Sequence, residues 1–466
     1  MNAILAPQTI FDPELIARYD LAGPRYTSYP PATLFTPDCG AEEFIAAALD
    51  SNAPPIPNPL SLYLHLPFCL APCYYCGCHR IINRDRSRSE RYLAQLQKEI
   101  ALTARLFDRD RRVLQLHFGG GTPNLLDARQ LGSLMACLDR HFLLQRTWPA
   151  EIGMELDPRS VEPGYLRLLS ALGFNRVSIG IQDFDPDVQQ AVNRLQSLEQ
   201  TENVIAAARA HGMRSISVDL IYGLPRQTPE RLARTLEEVI ALDPDRIAIY
   251  GYAHMPQRFR AQRLIAADEL PGSAQRLALL DLAVRTLAAA GYRHIGMDHF
   301  ARPDDDLAIA QREGRLQRNF QGYSTHADCD LIGLGLSAIS QVGSTFSQNA
   351  ADLPGYYRAL DAGQLPRVRG VVRSTDDGIR SSAIQQLMCD GSIDIADFEH
   401  RHSIDFAQYF SQALQRLHTL QDDGLVRVDA RRISVTPRGR FLLRIIAMCF
   451  DAYRDLAAPV GGSRVL

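Results

Sequence analysis

The chain has 466 residues, 46% of them hydrophobic and 22% charged, with a formal net charge of −3 at pH 7. That length exceeds one compact core and calls for a large domain with smaller appendages, and the slightly acidic balance argues against a dominant nucleic-acid or anionic-membrane surface. Its longer apolar runs, such as 445–450, fall far short of the roughly 18 residues a membrane helix needs, and nine cysteines, four of them bunched, do not form the pattern of a secreted disulfide framework.

Residues 1–13 carry no basic stretch followed by an apolar run, so no export signal is expected and a reducing cytoplasm fits. An arm over 1–55 follows, whose segment 19–31 holds Tyr19, Tyr26 and Tyr29 around a Gly23-Pro24-Arg25 turn. Those sticky side chains favour a lid over a floppy leader. A Pro-rich linker at 54–59 leads into the main domain, 56–365.

From residue 60 onward, strand-like runs at 62–66, 113–118, 152–156, 176–181, 216–221 and 247–250 alternate with amphipathic helical stretches at 90–106, 128–141, 163–172, 198–211 and 229–242. Repeated strand-helix units of this kind form an α/β fold around a parallel sheet. About six units predict a partial (β/α)6 barrel, fewer than the eight of a closed one.

The unusual residues fall at the carboxyl ends of those strands. Cys69-Leu70-Ala71-Pro72-Cys73-Tyr74-Tyr75-Cys76-Gly77-Cys78 follows the first and Gly119-Gly120-Gly121-Thr122-Pro123 the second. Glu155, Gln182, Asp219 and Ala253 stand at or just beyond the next four. In such barrels that edge builds the active site, so residues scattered over nearly two hundred positions converge on one mouth.

Cys69, Cys73 and Cys76 have a CxxxCxxC spacing that supplies three ligands. A 4Fe-4S cluster needs four, so three thiolates leave one iron open to an outside ligand. Structural zinc closes its shell, usually from two separated pairs, and no second pair follows. The bland alternative is a zinc knot with Cys78 or His79 as fourth donor. The glycine run permits close approach to the backbone, or is a plain tight turn. Glu155, Gln182 and Asp219 are each weak signals alone, since such a group is more often a cap or a solvated side chain than a ligand contact, and their shared edge is what raises them.

Past 250 the pattern becomes irregular, and over 366–466 a second composition takes over. Helices are predicted at 379–389 and 406–420, a hairpin at 425–428 and 432–435, and a final helix at 437–453. This mostly helical, winged-helix-like module carries Arg427, Arg431, Arg432, Arg438 and Arg440, which raises a nucleic-acid role. The acidic whole favours a packing or substrate-covering role instead.

The cysteine loop, the GGGTP turn, 175–184, 192–194, 219–225, Gly296-Met297-Asp298-His299-Phe300-Ala301 and Asn319-Phe320-Gln321-Gly322-Tyr323 together resemble the oxygen-independent coproporphyrinogen III oxidase family of radical S-adenosylmethionine enzymes. The likeness runs from the tyrosine arm to the carboxyl-terminal helices. It implies a barrel of the radical S-adenosylmethionine type in which Cys69, Cys73 and Cys76 hold the cluster. Two S-adenosylmethionine molecules are implied: one contacted by Tyr63, Gly120, Glu155 and Ile339, the other by Tyr75, Gly121, Thr122, Gln182, Arg194, Asp219 and Ala253. Phe320, Gln321 and Cys78 match residues near the site that are not cluster ligands.

The implied reaction converts two propionates of coproporphyrinogen III to vinyl groups, through a 5'-deoxyadenosyl radical, giving protoporphyrinogen IX. It needs a reductant for the cluster and a final electron acceptor, which the sequence does not name. A monomer without membrane or nucleic-acid partners is expected. Arginines such as Arg25 are candidates to meet the substrate carboxylates. Tyr75 stands where the family often has phenylalanine, and Cys329 is read as packing. Two rivals share the three-cysteine loop: a haem chaperone, against which the full CxxxCxxCxC counts, and a nucleic-acid-modifying radical enzyme using the carboxyl-terminal module.

Overall fold

The computed structural model describes residues 9–21, 23–326 and 328–454. The export-signal reading of 1–13 therefore falls mostly outside the described residues.

All six expected barrel strands are present: Leu60–Leu66, Arg112–Gly120, Glu151–Leu156, Arg176–Gln182, Ser215–Tyr222 and Arg246–Gly251. They lie side by side in chain order, every neighbouring pair parallel. Helices between them cover the outer face, so residues such as Leu62, Leu116, Met154, Ile179 and Val218 are buried and form one continuous core. Local chemistry sets the helix starts. Asp127 and Gln130 form a reciprocal capping box before Ala128–His141, and Ser197 and Gln200 do the same before Leu198–Ala210.

The sheet extends beyond the six expected units. Leu60–Leu66 also pairs in parallel with Asp330–Leu334, which continues antiparallel into Ile339–Val342, Thr345–Asn349 and Arg367–Val372. At the far edge Arg246–Gly251 pairs antiparallel with His299–Ala301, and that with Arg293–Gly296. Among the described residues the two ends of this thirteen-stranded sheet do not pair, so the barrel stays open.

A buried carboxylate fastens the extension to the barrel. Glu99, on helix Arg86–Ala104, accepts hydrogen bonds from the Gly335 N–H (2.8 Å), Tyr356 Oη (2.5 Å) and Asn349 Nδ2 (2.6 Å), with Arg367 4.0 Å away. Glu99 and Arg367 are both fully buried, a burial tolerable only because so many donors converge.

The carboxyl-terminal module packs helices Thr375–Cys389, Ile395–His402, Phe406–Tyr409 and Ser411–Asp422 against a three-stranded sheet. The predicted hairpin is there as Val426–Val428 and Arg432–Val435, joined by Ser392–Asp394. Two helix predictions need correction. The run over 406–420 breaks at Phe410, whose ψ of 25° leaves the helical region. The final segment is a 3-10 turn at Gly439–Leu442, a short α-helix at Leu443–Ala447 and another 3-10 turn at Met448–Phe450, not one helix over 437–453. Gly439 is pressed so close to the Leu425 carbonyl that a Cβ there would lie 2.1 Å from it.

Leu15, Tyr26 and Tyr29 belong to the core of this module, beside Phe398, Phe410 and Phe450. Tyr26 Oη donates to Asp451 (2.9 Å), the Ala452 N–H donates to Tyr29 Oη (2.9 Å), and Arg438 pairs with Asp12 (2.8 Å).

Candidate functional site

The carboxyl ends of the barrel strands open into a cavity of about 720 Å³, within the usual range for small-molecule sites. Cys69, Cys73, Cys76 and Cys78 line one side of it. Cys69 ends a short strand, Phe68–Cys69, held in parallel by Ile81–Ile82, which fixes the start of the loop. The Cys78 N–H donates to Cys76 Sγ at 3.4 Å, a contact that places Cys78 behind Cys76.

Positive charge surrounds these sulfurs. Cys73 Sγ accepts from Arg194 Nη1 at 3.7 Å and Arg159 Nη2 at 3.8 Å. Arg80 donates to the Cys73 carbonyl (3.0 Å), and Thr122 Oγ1 donates to Cys69 Sγ (3.4 Å). Asp157 holds both arginines in place, 2.6 Å from Arg159 and 3.3 Å from Arg194. Cations so placed can balance the negative charge of metal-bound sulfurs, although burial pushes the Cys69 thiol up to about 11. Among the described residues no group of three His, Cys, Asp or Glu is gathered closely enough to hold a single metal ion.

The opposite wall comes from the strand ends. Gly119, Gly120 and Gly121 form a turn into which the protein itself crowds. A Cβ on Gly119 would lie 2.6 Å from Glu155 Oε1, one on Gly120, where φ is +114°, 2.6 Å from the His65 ring, and one on Gly121 2.7 Å from the Phe68 carbonyl. The glycines are thus set by close approach, not merely by a turn. Glu155 accepts from the Gly120 N–H at 3.0 Å and faces His117 Nε2 at 3.4 Å, while its side chain stays 42% exposed to the cavity. Burial pushes its pKa up, but His117 and the Gly120 N–H outweigh that and hold it below the usual carboxylate range.

Asp219 takes the other direction. Burial, reinforced by the charge of Glu155, pushes its carboxyl up to about 7, with Ser178 Oγ only 3.3 Å away. Two carboxylates in one mouth therefore differ in protonation. Gln182 ends its strand at φ +73° beside a bulge, and the Arg194 Nη2 donates to the Gly180 carbonyl at 2.6 Å. Ala253, Tyr75 and Thr122 line the same cavity.

Five residues marked by the sequence stand outside the main cavity. Tyr63 lies one layer below it, its ring stacked 6.1 Å from His117 and its hydroxyl 3.2 Å from His65 Nδ1. Ile339 starts an extension strand whose backbone presses on Gly333, the register partner of Tyr63. Gln321 lines a smaller polar cavity of about 190 Å³ inside the barrel, and Phe320 meets Phe346 edge-on at 6.0 Å. Arg25 is already engaged, in an ion pair with Asp298.

Sequence reasoning missed Asp157, Arg159, Phe259 and Gln262. The Asp157-Pro158-Arg159 step follows Glu155 closely and could have been marked as a strand-end polar pair. Nothing in the sequence singles out the roof. Phe259 covers Gly77, where an added Cβ would meet its ring at 3.3 Å, and buried Gln262 donates to the Tyr75 and Ala253 carbonyls at 3.0 and 3.1 Å.

A family model described as the radical SAM superfamily matches residues 63–239, and one described as the HemN C-terminal domain matches 374–442. An oxygen-independent coproporphyrinogen III oxidase of Pseudomonas aeruginosa is 51% identical over 443 residues, 95% of this chain and 96% of that one. Its counterpart in Escherichia coli is 47% identical over 460 residues, covering 98% and 99%. A solved structure described as coproporphyrinogen III oxidase from Escherichia coli, a radical SAM enzyme, superposes with a TM-score of 0.91 at 45% identity, covering 96% of this chain and all of that one.

Proposed function

Given that this chain belongs to the oxygen-independent coproporphyrinogen III oxidases, a family of radical S-adenosylmethionine enzymes, we propose that it decarboxylates two propionates of coproporphyrinogen III to vinyl groups, yielding protoporphyrinogen IX in haem biosynthesis. The observation that carries this reading is that three thiols on one loop, with Arg194 against Cys73, line a single cavity together with Glu155 and Asp219.

In this reading Cys69, Cys73 and Cys76 hold a 4Fe-4S cluster, which their thiol donor set and their arginine surroundings suit. When bound, the cluster supplies one electron to the sulfonium of S-adenosylmethionine, and the hydrogen abstraction that follows starts loss of carbon dioxide from a propionate. Glu155, ionised and facing the cavity, and the Gly120 backbone beside it would hold a first S-adenosylmethionine, with Tyr63 and Ile339 supporting that wall. Tyr75, Gly121, Thr122, Gln182, Arg194, Asp219 and Ala253 receive a second, the guanidinium of Arg194 meeting its carboxylate. Cys78, Phe320 and Gln321 stay near the site without ligating. Phe259 and Gln262 roof the cavity and keep water from the reactive carbon.

We further assign residues 1–55 as an arm or lid, 56–365 as the catalytic barrel and 366–466 as a mostly helical domain. No helix among the described residues is long and apolar enough to cross a membrane, and we read the enzyme as a cytoplasmic monomer without nucleic-acid partners. The test is anaerobic incubation of the reconstituted protein with coproporphyrinogen III, S-adenosylmethionine, dithionite as reductant for the cluster and an added electron acceptor. Product lighter by two formic-acid equivalents, with methionine released, is the expected result, and unchanged porphyrinogen beside a reducible cluster would refute it.

A further inference from the structure

Beside the cysteine loop, at the rim where Leu70 and Arg80 also line the main cavity, a surface continues outward over Ile82 and the arginines that follow it. Strand Ile81–Ile82 is the outer neighbour of Phe68–Cys69, with Ile82 in register with Cys69. The Asn83 N–H donates to the Cys69 carbonyl at 2.9 Å, and Arg84 Nε reaches the Leu70 carbonyl at 3.3 Å. Only one hydrogen-bonded strand therefore separates Cys69 from the exterior.

Two apolar side chains are bare at that point, Leu70 (48% exposed) and Ile82 (39%). Around them the chain concentrates positive charge. From residue 80 to 91 there are five arginines against two acids. Both acids are occupied: Asp85 caps the helix by accepting from Ser87 (2.9 Å), and Glu90 pairs with Arg129 (2.8 Å). Arg84, Arg86 and Arg88 are exposed and form no ion pair among the described residues. The patch runs on into a groove of about 560 Å³ where Arg88, Arg91 and Arg358 surround Tyr357. In a chain with a net charge of −3, this local excess is set against the overall balance.

We propose that this arginine-rimmed apolar patch over Leu70 and Ile82 is the docking site for a small acidic one-electron carrier protein that reduces the cluster held by Cys69, Cys73 and Cys76. The proposal rests on the function assigned above, which requires an electron from outside. One electron leaves the carrier, oxidising it by one equivalent, and enters the cluster, reducing it by one. No proton or leaving group moves. An apolar centre lets the partners approach closely, and the charged rim steers the encounter, as suits a small and short-lived interface. A nucleic acid fits less well, because the one aromatic ring of the groove, Tyr357, is already capped by Arg91 at 4.7 Å.

The test uses full-length protein and an acidic flavodoxin as probe. The double variant Arg86→Glu with Arg88→Glu is the informative one, because both residues lie in the first turn of helix Arg86–Ala104, where acidic side chains favour the helix dipole and the fold is preserved. Flavodoxin affinity, measured by titration calorimetry with and without the cluster, should fall at least about tenfold at low ionic strength and converge with the parent protein at high salt. Stopped-flow reduction of the cluster by flavodoxin hydroquinone should slow in parallel, while dithionite-driven turnover stays at the parent level, and Arg86→Lys with Arg88→Lys should restore docking. Unchanged flavodoxin affinity overturns the proposal. So does a loss of dithionite-driven turnover in the double variant, or RNA or anionic vesicles binding the patch more tightly than flavodoxin. If dithionite gives no product even with the parent chain, the assigned reaction fails, whereas the calorimetric arm still reports on docking.

Discussion

Arg194 Nη1 lies 3.7 Å from the Sγ of Cys73 and 3.3 Å from a carboxylate oxygen of Asp157. One guanidinium nitrogen thus touches both the Cys73 thiol and the acid that orients it, while Nη2 holds the Gly180 carbonyl. Arg194→Ala should lose about 2–3 kcal/mol of stability, since Arg159 still compensates Asp157. It should also weaken S-adenosylmethionine binding. Arg194→Lys should restore little, because an ammonium cannot span three acceptors held in one plane. Thermal unfolding and equilibrium dialysis with labelled S-adenosylmethionine check both.

The raised carboxyl of Asp219 gives the unliganded protein a definite pH response. Its folded pKa, about 7, lies above the unfolded value of 3.8, so the folded state holds the proton more tightly between them. The contribution to stability is therefore fully present below about pH 4 and lost as the pH rises to 7. Because the carboxylate is partly open to the cavity, solvent screening cuts the effect to about 1–3 kcal/mol. Asp219→Asn should be more stable than the parent at pH 8 and equal to it near pH 4. Urea unfolding at the two pH values decides the point, and equal midpoints at pH 8 would show that Asp219 titrates normally.

Iron content separates the cysteines. Cys73→Ser should fail to retain a reconstituted cluster, whereas Cys78→Ser should keep iron and sulfide near parent levels, because Cys78 reaches Cys76 only through its backbone N–H and neighbouring thiol. Depleted iron in Cys78→Ser would make it a ligand and leave no vacancy for S-adenosylmethionine.

Gly120→Ala places a methyl group 2.6 Å from the His65 ring at a backbone angle that L-residues avoid. A loss of about 2–4 kcal/mol is expected, read from the denaturation midpoint.

Removing the Glu99 side chain leaves Arg367 buried without its counter-charge and three donors without an acceptor. Glu99→Ala should cost about 3–5 kcal/mol, and the extension strands should lose hydrogen-exchange protection first.

Much of this architecture was readable from residue patterns, and the reasons differ by region. The six parallel strands are long apolar runs separated by capped helices, so both periodicity and punctuation mark them. Cys69, Glu155, Gln182, Asp219 and Ala253 were legible because each falls in the carboxyl-terminal half of such a strand or just beyond it. The extension strands between residues 293 and 372 are three to six residues long, too short for alternation to show, and long-range pairing decides them. The helix predicted over 437–453 failed because contacts such as Gly439 against Leu425 override local propensity. Roof residues Phe259 and Gln262 escaped for a related reason: their role depends on a loop folding back over residues almost two hundred positions earlier, which no local spacing encodes.

The ties between Tyr26 and Asp451, Tyr29 and Ala452, and Asp12 and Arg438 have a consequence for biosynthesis. A ribosome releases residues 12–30 first and must translate roughly four hundred more codons before their partners emerge. Until then Tyr26 and Tyr29 have no apolar seat, and the core they share with Phe398, Phe410 and Phe450 cannot close. The carboxyl-terminal module is thus completed by the first and last parts of the chain together, only once synthesis is nearly done.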